Sequence, residues 1–176
     1  GYSNLVMLGL GGTTAKFMSL QKIIEKYSDI EMIIEPAAEA LVQLNKRITR
    51  DSLVITGSKS GDTKELVDAV IMLGKKNIQV CSVSANKDTP LAQASAYNIY
   101  CSAKNLVNMY LPFYYFIFKL LQLRGDFPDY EEFADQMDSH LHDYLIECAE
   151  KFDNRAKDWA KKYYKQDYQV WVGGGE

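Results

Sequence analysis

An α/β fold, a five-stranded parallel sheet sandwiched between two layers of helix, is predicted by three observations. Short apolar runs alternate with amphipathic helical patterns from residue 4 to residue 100. No hairpin signal separates one strand from the next, which is the pattern of a parallel sheet covered on both faces. Two of the strands run into loops of glycine and hydroxyl residues that open helices, the usual way such a fold builds a ligand site.

The elements follow in order. Asn4 to Leu8 is a buried strand, and Gly9-Leu10-Gly11-Gly12-Thr13-Thr14 leads out of it. Ala15 to Tyr27 carries Phe17, Leu20, Ile23, Ile24 and Tyr27 at helical spacing. Glu31 to Ile34 is the second strand, and Pro36 is expected in the first turn of a helix reaching about Asn45, where a missing N–H costs nothing. Ser52 to Thr56 is the third strand. After the loop 58–63, a helix over Lys64 to Lys76 buries Leu66, Val67, Ala69, Val70 and Leu73. Ile78 to Val83 and Tyr97 to Tyr100 are the fourth and fifth strands, separated by the turn Asn86-Lys87-Asp88-Thr89-Pro90 and a short helix from Pro90. An aromatic-rich helix spans Asn105 to Arg124, with core as its simplest role and a subunit interface as the alternative. A charged helix runs from Tyr130 to about Phe152, and a further one lies near Arg155 to Tyr164.

Composition narrows the function. The 176 residues suffice for a sizeable core, and 47% hydrophobic with 24% charged residues is ordinary for a globular protein. A net charge of -3 offers no footprint for nucleic acid, and no membrane span or leader is predicted. Cys81, Cys101 and Cys148 are odd in number and lack metal spacing, so they read as thiols of a reducing cytoplasm. His140 and His142 face different sides of a helix and form no metal pair. The acidic residues from Asp129 to Asp138 read as a solvated helix start. No metal and no cofactor are expected.

Ser58-Lys59-Ser60-Gly61-Asp62-Thr63 carries the chemistry. The first amides of a helix have no intrahelical partner and favour an anion, hydroxyls add donors, and Gly61 lets the backbone turn close to a ligand. The plain alternative is a helix cap in which Ser60 and Thr63 serve only the backbone. Gly12, Thr13 and Thr14 offer a second such loop on the same sheet edge, and two loops together make a cradle for one phosphate and the hydroxyls of a small ligand. A dinucleotide site is the rival: Gly9-x-Gly11 follows a strand and Glu35 ends the next. Thr14 occupies the place of the third glycine, and the second loop goes unexplained by that reading.

On these residues the chain resembles the sugar isomerase (SIS) domain family, over about residues 4 to 124. The S-x-S-G-[DE]-T loop, the strand into Gly11-Gly12-Thr13-Thr14, and the spacing to Asn86-Lys87-Asp88-Thr89-Pro90-Leu91-Ala92 carry the likeness. It implies a flavodoxin-like αβα sandwich that binds a phosphorylated sugar or sugar-amine through Gly12, Thr13, Thr14, Ser58, Lys59, Ser60, Gly61 and Thr63. Lys59 replaces the family's commoner glutamine, and Lys104-Asn105-Leu106-Val107-Asn108 departs from its hydroxyl-rich pattern.

Val170-Trp171-Val172-Gly173-Gly174-Gly175-Glu176 and the aromatic helix are most similar to the fructosamine 6-phosphate deglycase branch, and less so to the isomerase half of glucosamine-6-phosphate synthase. The implied reaction is ring opening followed by carboxylate-assisted proton transfer, its base and histidine coming largely from a second domain or a neighbouring subunit. Sugar-phosphate sensing in a regulator, and a purely structural role, are the other classes. The expected organisation is a phosphosugar-binding domain over 1–125, a helical segment over 126–167, and the first strand of a second SIS domain over 168–176. A cytoplasmic homodimer or larger homo-oligomer is expected.

Overall fold

The computed structural model describes residues 1–102, 107–168 and 170, with 107–109 as backbone only. Five parallel strands, β1 (Asn4–Gly9), β2 (Met32–Pro36), β3 (Ser52–Ser58), β4 (Val80–Ser84) and β5 (Tyr97–Tyr100), form one sheet in the order β2-β1-β3-β4-β5. The helices are α1 (Gly12–Tyr27), α2 (Ala37–Val42), α3 (Lys64–Lys75), α4 (Pro90–Ala94), α5 (Val107–Arg124) and α6 (Tyr130–Tyr163). The predicted α/β sandwich is therefore the fold.

Alternation along the strands builds the two faces. Val6, Leu8 and Val54 enter a core closed by Ala37 and Ala40 of α2, Leu66, Ala69, Val70 and Leu73 of α3, and Leu91 of α4. The helices α1 and α5 pack together as a pair, Phe17 meeting Phe113 edge-on at 5.3 Å between ring centroids. Each fully buried Leu, Ile or Phe contributes about 1.5–3 kcal/mol, so this two-sided burial is the main source of stability. The aromatic α5 buries Phe113, Ile117, Phe118 and Leu121, while Leu123 is exposed. Its core role is thus met along one stripe only.

Several boundaries differ from prediction, each for a backbone reason. β3 continues two residues past its predicted end at Thr56 because Gly57 and Ser58 still pair with Val83 and Ser84. α1 starts three residues early, the chain reversing at Gly11 so that Gly12-Thr13-Thr14 is its first turn. Pro36 closes β2 opposite Gly9 and caps α2, instead of lying inside that helix, and α2 stops at Val42. Residues 130 to 163 form one helix where two were predicted; the Asp153–Lys157 ion pair bridges the weak Asp153-Asn154 junction. The predicted departure at Lys104-Asn105-Leu106 and the glycine-rich end beyond 170 lie outside the described residues.

Two compact units divide at residues 127 and 128, the sheet and α1–α5 in one and α6 in the other. No helix among the described residues is long and apolar enough to cross a membrane. Among them no group of three His, Cys, Asp or Glu side chains could hold a metal, and the three cysteines are free thiols.

One clasp ties the ends of α1 and α5. Ser28, the C-cap of α1, donates from its hydroxyl to Asp126 at 2.6 Å, and Arg124 Nε donates to the same carboxylate at 2.9 Å. These bonds hold the Asp126 carboxyl below its ordinary value of 3.8. A depressed carboxyl stabilises the fold above its unfolded value, and the effect disappears as pH falls through the folded one. Asp126→Ala is therefore expected to melt below wild type at neutral pH, the difference closing in acid below 3.8, as read by thermal scans across pH.

Candidate functional site

Strand order reverses between β1 and β3. The chain leaves β1 toward β2 on one side and returns through β3 to the other. Ligands of such sheets bind outside the carboxyl ends of the strands at this reversal. The first turn of α1 follows β1 there, and the loop 59–63 follows β3. The two loops singled out in the sequence thus flank the one place where topology opens a crevice.

On the β1 side, Gly12, Thr13 and Thr14 open α1 with no side-chain cap. Thr13 and Thr14 donate their amides to Leu10 and Gly11 carbonyls at 3.2 and 3.1 Å. Thr14 lies back against Gly9, so close that a β-carbon on Gly9 would stand 2.6 Å from Thr14 Oγ1. Gly9 is therefore a packing residue, its missing side chain making room for Thr14. A β-carbon on Gly12 would meet nothing within 4 Å, so this turn faces open space.

On the β3 side, Ser58 is buried and accepts the Gly61 amide at 3.0 Å, with Ser60 Oγ 3.5 Å away. Ser58 thus shapes the loop and retains its own hydroxyl proton as a donor. Thr63 occupies the N-cap of α3, yet its side chain makes no capping bond. Ser60 is exposed and touches only the Ser58 hydroxyl among the hydrogen bonds described. The capping alternative therefore fails for both residues it was framed on: their hydroxyls are not used by the backbone. α4, in contrast, is capped by Thr89, which accepts the Ala92 amide at 3.2 Å. Lys59 is exposed beside Ser60, a cation at the rim.

The loop is held from behind by the 86–91 turn. Leu91 donates its amide to the Gly61 carbonyl at 2.9 Å, and Asn86 Nδ2 donates to the Lys59 carbonyl at 3.2 Å. Buried Ser84 donates in turn to the Asn86 carbonyl at 3.0 Å. Gly61, at φ 74°, lies so close to Thr89 that a β-carbon would come within 2.4 Å of its Oγ1. Ser84, Thr89 and Gly57 are supports that sequence reasoning missed. The Ser-x-Ser-x-Asn ending of β4 was a signal for the first. No local pattern marks Gly57, because its neighbour Phe113 is far along the chain.

Glu35 is buried at the end of β2, with its backbone paired to Leu8. His140 and His142 lie on α6. A cleft of about 760 Å³ runs along α2 and the segment to Lys46, at the end of α2 that leads back to the start of β3. It holds no hydroxyl cluster and belongs to a different part of the unit.

Residues 3–120 match the family described as SIS domain. Among solved structures, one from Bacillus subtilis, provisionally described as a phosphosugar isomerase, is 22% identical with a TM-score of 0.84 over 93% of this chain and 51% of its own. Another, from Salmonella typhimurium and described in the same provisional terms, is 17% identical with a TM-score of 0.82, covering 94% of this chain and 51% of that one. The C-terminal domain of glucosamine-fructose-6-phosphate aminotransferase from Francisella tularensis is 16% identical with a TM-score of 0.80, covering 99% and 52%. The chain thus spans about half the length of each of these three. Among curated proteins none matches.

Proposed function

The chain belongs to the SIS domain family, and from this we propose that the cradle between the first turn of α1 and the 58–63 loop binds a phosphorylated sugar or sugar-amine. The observation that carries the reading is the pair of idle hydroxyls, Ser60 and Thr63, beside an uncapped helix start at the strand-order reversal. Ser, Lys and Thr in that place do nothing for a core. They suit a phosphate, which takes donors on three oxygens. Ser58 and Ser60 donate with the first amides of α3, and Lys59 adds charge at the rim. Gly12, Thr13 and Thr14 face the sugar end from the β1 side.

The reaction we assign to the whole protein is that of an isomerase or deglycase acting on a fructosamine 6-phosphate or an amino-sugar phosphate, working as a homodimer or larger homo-oligomer in the cytoplasm. Ring opening exposes a carbonyl or imine, and a carboxylate then moves the proton on the neighbouring carbon. None of the cradle residues is assigned as that base. The isolated chain is accordingly expected to bind a sugar phosphate without turning it over; measured turnover by this chain would overturn the assignment.

Thermal unfolding tests the site. Millimolar fructose 6-phosphate or glucosamine 6-phosphate should raise the melting temperature, since a ligand at 100 times its Kd stabilises by about 2.7 kcal/mol. Each kcal/mol moves the midpoint of a chain this size by roughly 2–4 °C. Ser60→Ala/Thr63→Val should fold normally and lose that shift, because neither hydroxyl serves the backbone. A shift that survives in the double variant would place the ligand elsewhere. No shift with either sugar phosphate would remove the proposal.

A further inference from the structure

Asparagine is a poor strand former, yet Asn98 sits inside β5, a strand of four residues at the sheet edge. It stands opposite Ser82 of β4, and Ser82 and Ser84 are both fully buried. Two hydroxyls in that position offer a core nothing and need hydrogen-bond partners. Asn98 supplies one to each: its Nδ2 donates to Ser82 Oγ at 2.8 Å and to Ser84 Oγ at 3.1 Å.

Ser84 holds one hydroxyl proton and has two acceptors in reach, the Asn86 carbonyl at 3.0 Å and Asn98 Oδ1 at 3.3 Å. The amide of Asn98 donates to the Ser84 oxygen, so the hydroxyl proton goes to Asn86, the nearer acceptor. The Asn86 side chain in turn donates from Nδ2 to the Lys59 carbonyl at 3.2 Å. A trans peptide points its N–H opposite to its C=O, so this bond turns the Ser60 amide away from the 86–91 turn. That amide has no hydrogen-bond partner among the described residues.

We infer that Asn98 is a positioning residue for the candidate site. Through Ser84 and Asn86 it fixes the Lys59–Ser60 peptide, and so presents the Ser60 amide, next to the Ser60 hydroxyl, to the ligand. The ligand here is the sugar phosphate proposed above, whereas the hold on the loop exists without it. Asn98 and Asn86 are both exposed, so either can be replaced without opening the core.

Asn98→Asp tests this, because it keeps the shape of the side chain and reverses its chemistry. A carboxylate only accepts, and its charge draws the Ser84 proton away from Asn86. Calorimetric titration of the full chain with glucosamine 6-phosphate should show affinity about tenfold lower in Asn98→Asp, the worth of one hydrogen bond. Asn98→Ala should stay within about threefold of wild type, since Ser84 then keeps its proton on Asn86. A side chain that only filled space would give the reverse order and overturn the relay. Asn86→Ala cuts the link, so Asn98→Asp should cost nothing further on that background. A second loss of about tenfold there would mean that the new charge repels the phosphate directly, and would also overturn the relay. Without ligand, hydrogen exchange at the Gly61 amide, which is bonded to Ser58 Oγ, should be faster in Asn98→Asp and in Asn86→Ala than in wild type. Unchanged exchange in either would overturn the relay whether or not a sugar phosphate binds. Faster exchange in both, with a wild type that binds no sugar phosphate, would support the hold on the loop and remove the sugar-phosphate reading instead.

Discussion

Gly61→Ala should cost about 2–4 kcal/mol of stability and abolish the melting shift produced by sugar phosphate. Two effects add. The position holds φ 74°, which a β-carbon disfavours, and that carbon would fall 2.4–2.7 Å from three atoms of the Thr89 side chain. Thr89 cannot easily retreat, because it is buried and caps α4. The loop must therefore move, and with it the Gly61 amide that holds the Ser58 hydroxyl and the Gly61 carbonyl that receives the Leu91 amide. Gly74→Ala is the control: a β-carbon there meets nothing within 4 Å, and the position lies inside α3. It should leave stability unchanged or raise it by up to about 1 kcal/mol and keep the ligand shift intact. Urea unfolding of both variants, with and without glucosamine 6-phosphate, reads all of these quantities. Gly61→Ala behaving like Gly74→Ala would mean that the loop is not packed as described.

The candidate site was legible where it depended on local chemistry. The hydroxyl loop after β3 and the glycine turn after β1 announce themselves by residue type, and the alternation of strand and helix sets them on one sheet edge. Boundaries were less legible, because a periodicity argument stops at the last apolar side chain while the backbone ladder does not. Gly57 and Ser58 remain in β3 for that reason. Long-range supports were the least legible. Ser58 could be named as a candidate site residue without any sign that Phe113, 55 positions later, sits beneath its neighbour. Gly9 is another such support: nothing near it in the sequence shows that its small size serves the contact with Thr14. In each case the missing information is a side-chain neighbour that only the closed fold supplies.

Phe113 shows what such a support is expected to do. Its side chain is 2% exposed, its Cζ would be 2.5 Å from a β-carbon on Gly57, and its ring meets Phe17 of α1 edge-on. One ring thus backs the strand that ends in Ser58 and the helix that begins with Gly12-Thr13-Thr14. Phe113→Ala should cost about 3–5 kcal/mol, the range for emptying a large aromatic site in a core. Gly57→Ala should cost about 1–3 kcal/mol, since its extended backbone tolerates alanine and the loss comes from overpacking alone. The two changes act on one contact, so they should not add. With the ring gone the new methyl group has room, and the double variant should lie close to Phe113→Ala alone, a coupling of about 1–3 kcal/mol. Additive losses would show that Gly57 is constrained by Val83, whose carbonyl oxygen is the other near neighbour at 3.2 Å. Binding separates the roles further. Gly57→Ala overpacks the position directly before Ser58 and should weaken sugar-phosphate binding more than its stability loss alone explains. A remote core change of equal cost, such as Leu73→Ala at the far end of α3, should reduce stability and leave affinity at saturation unchanged.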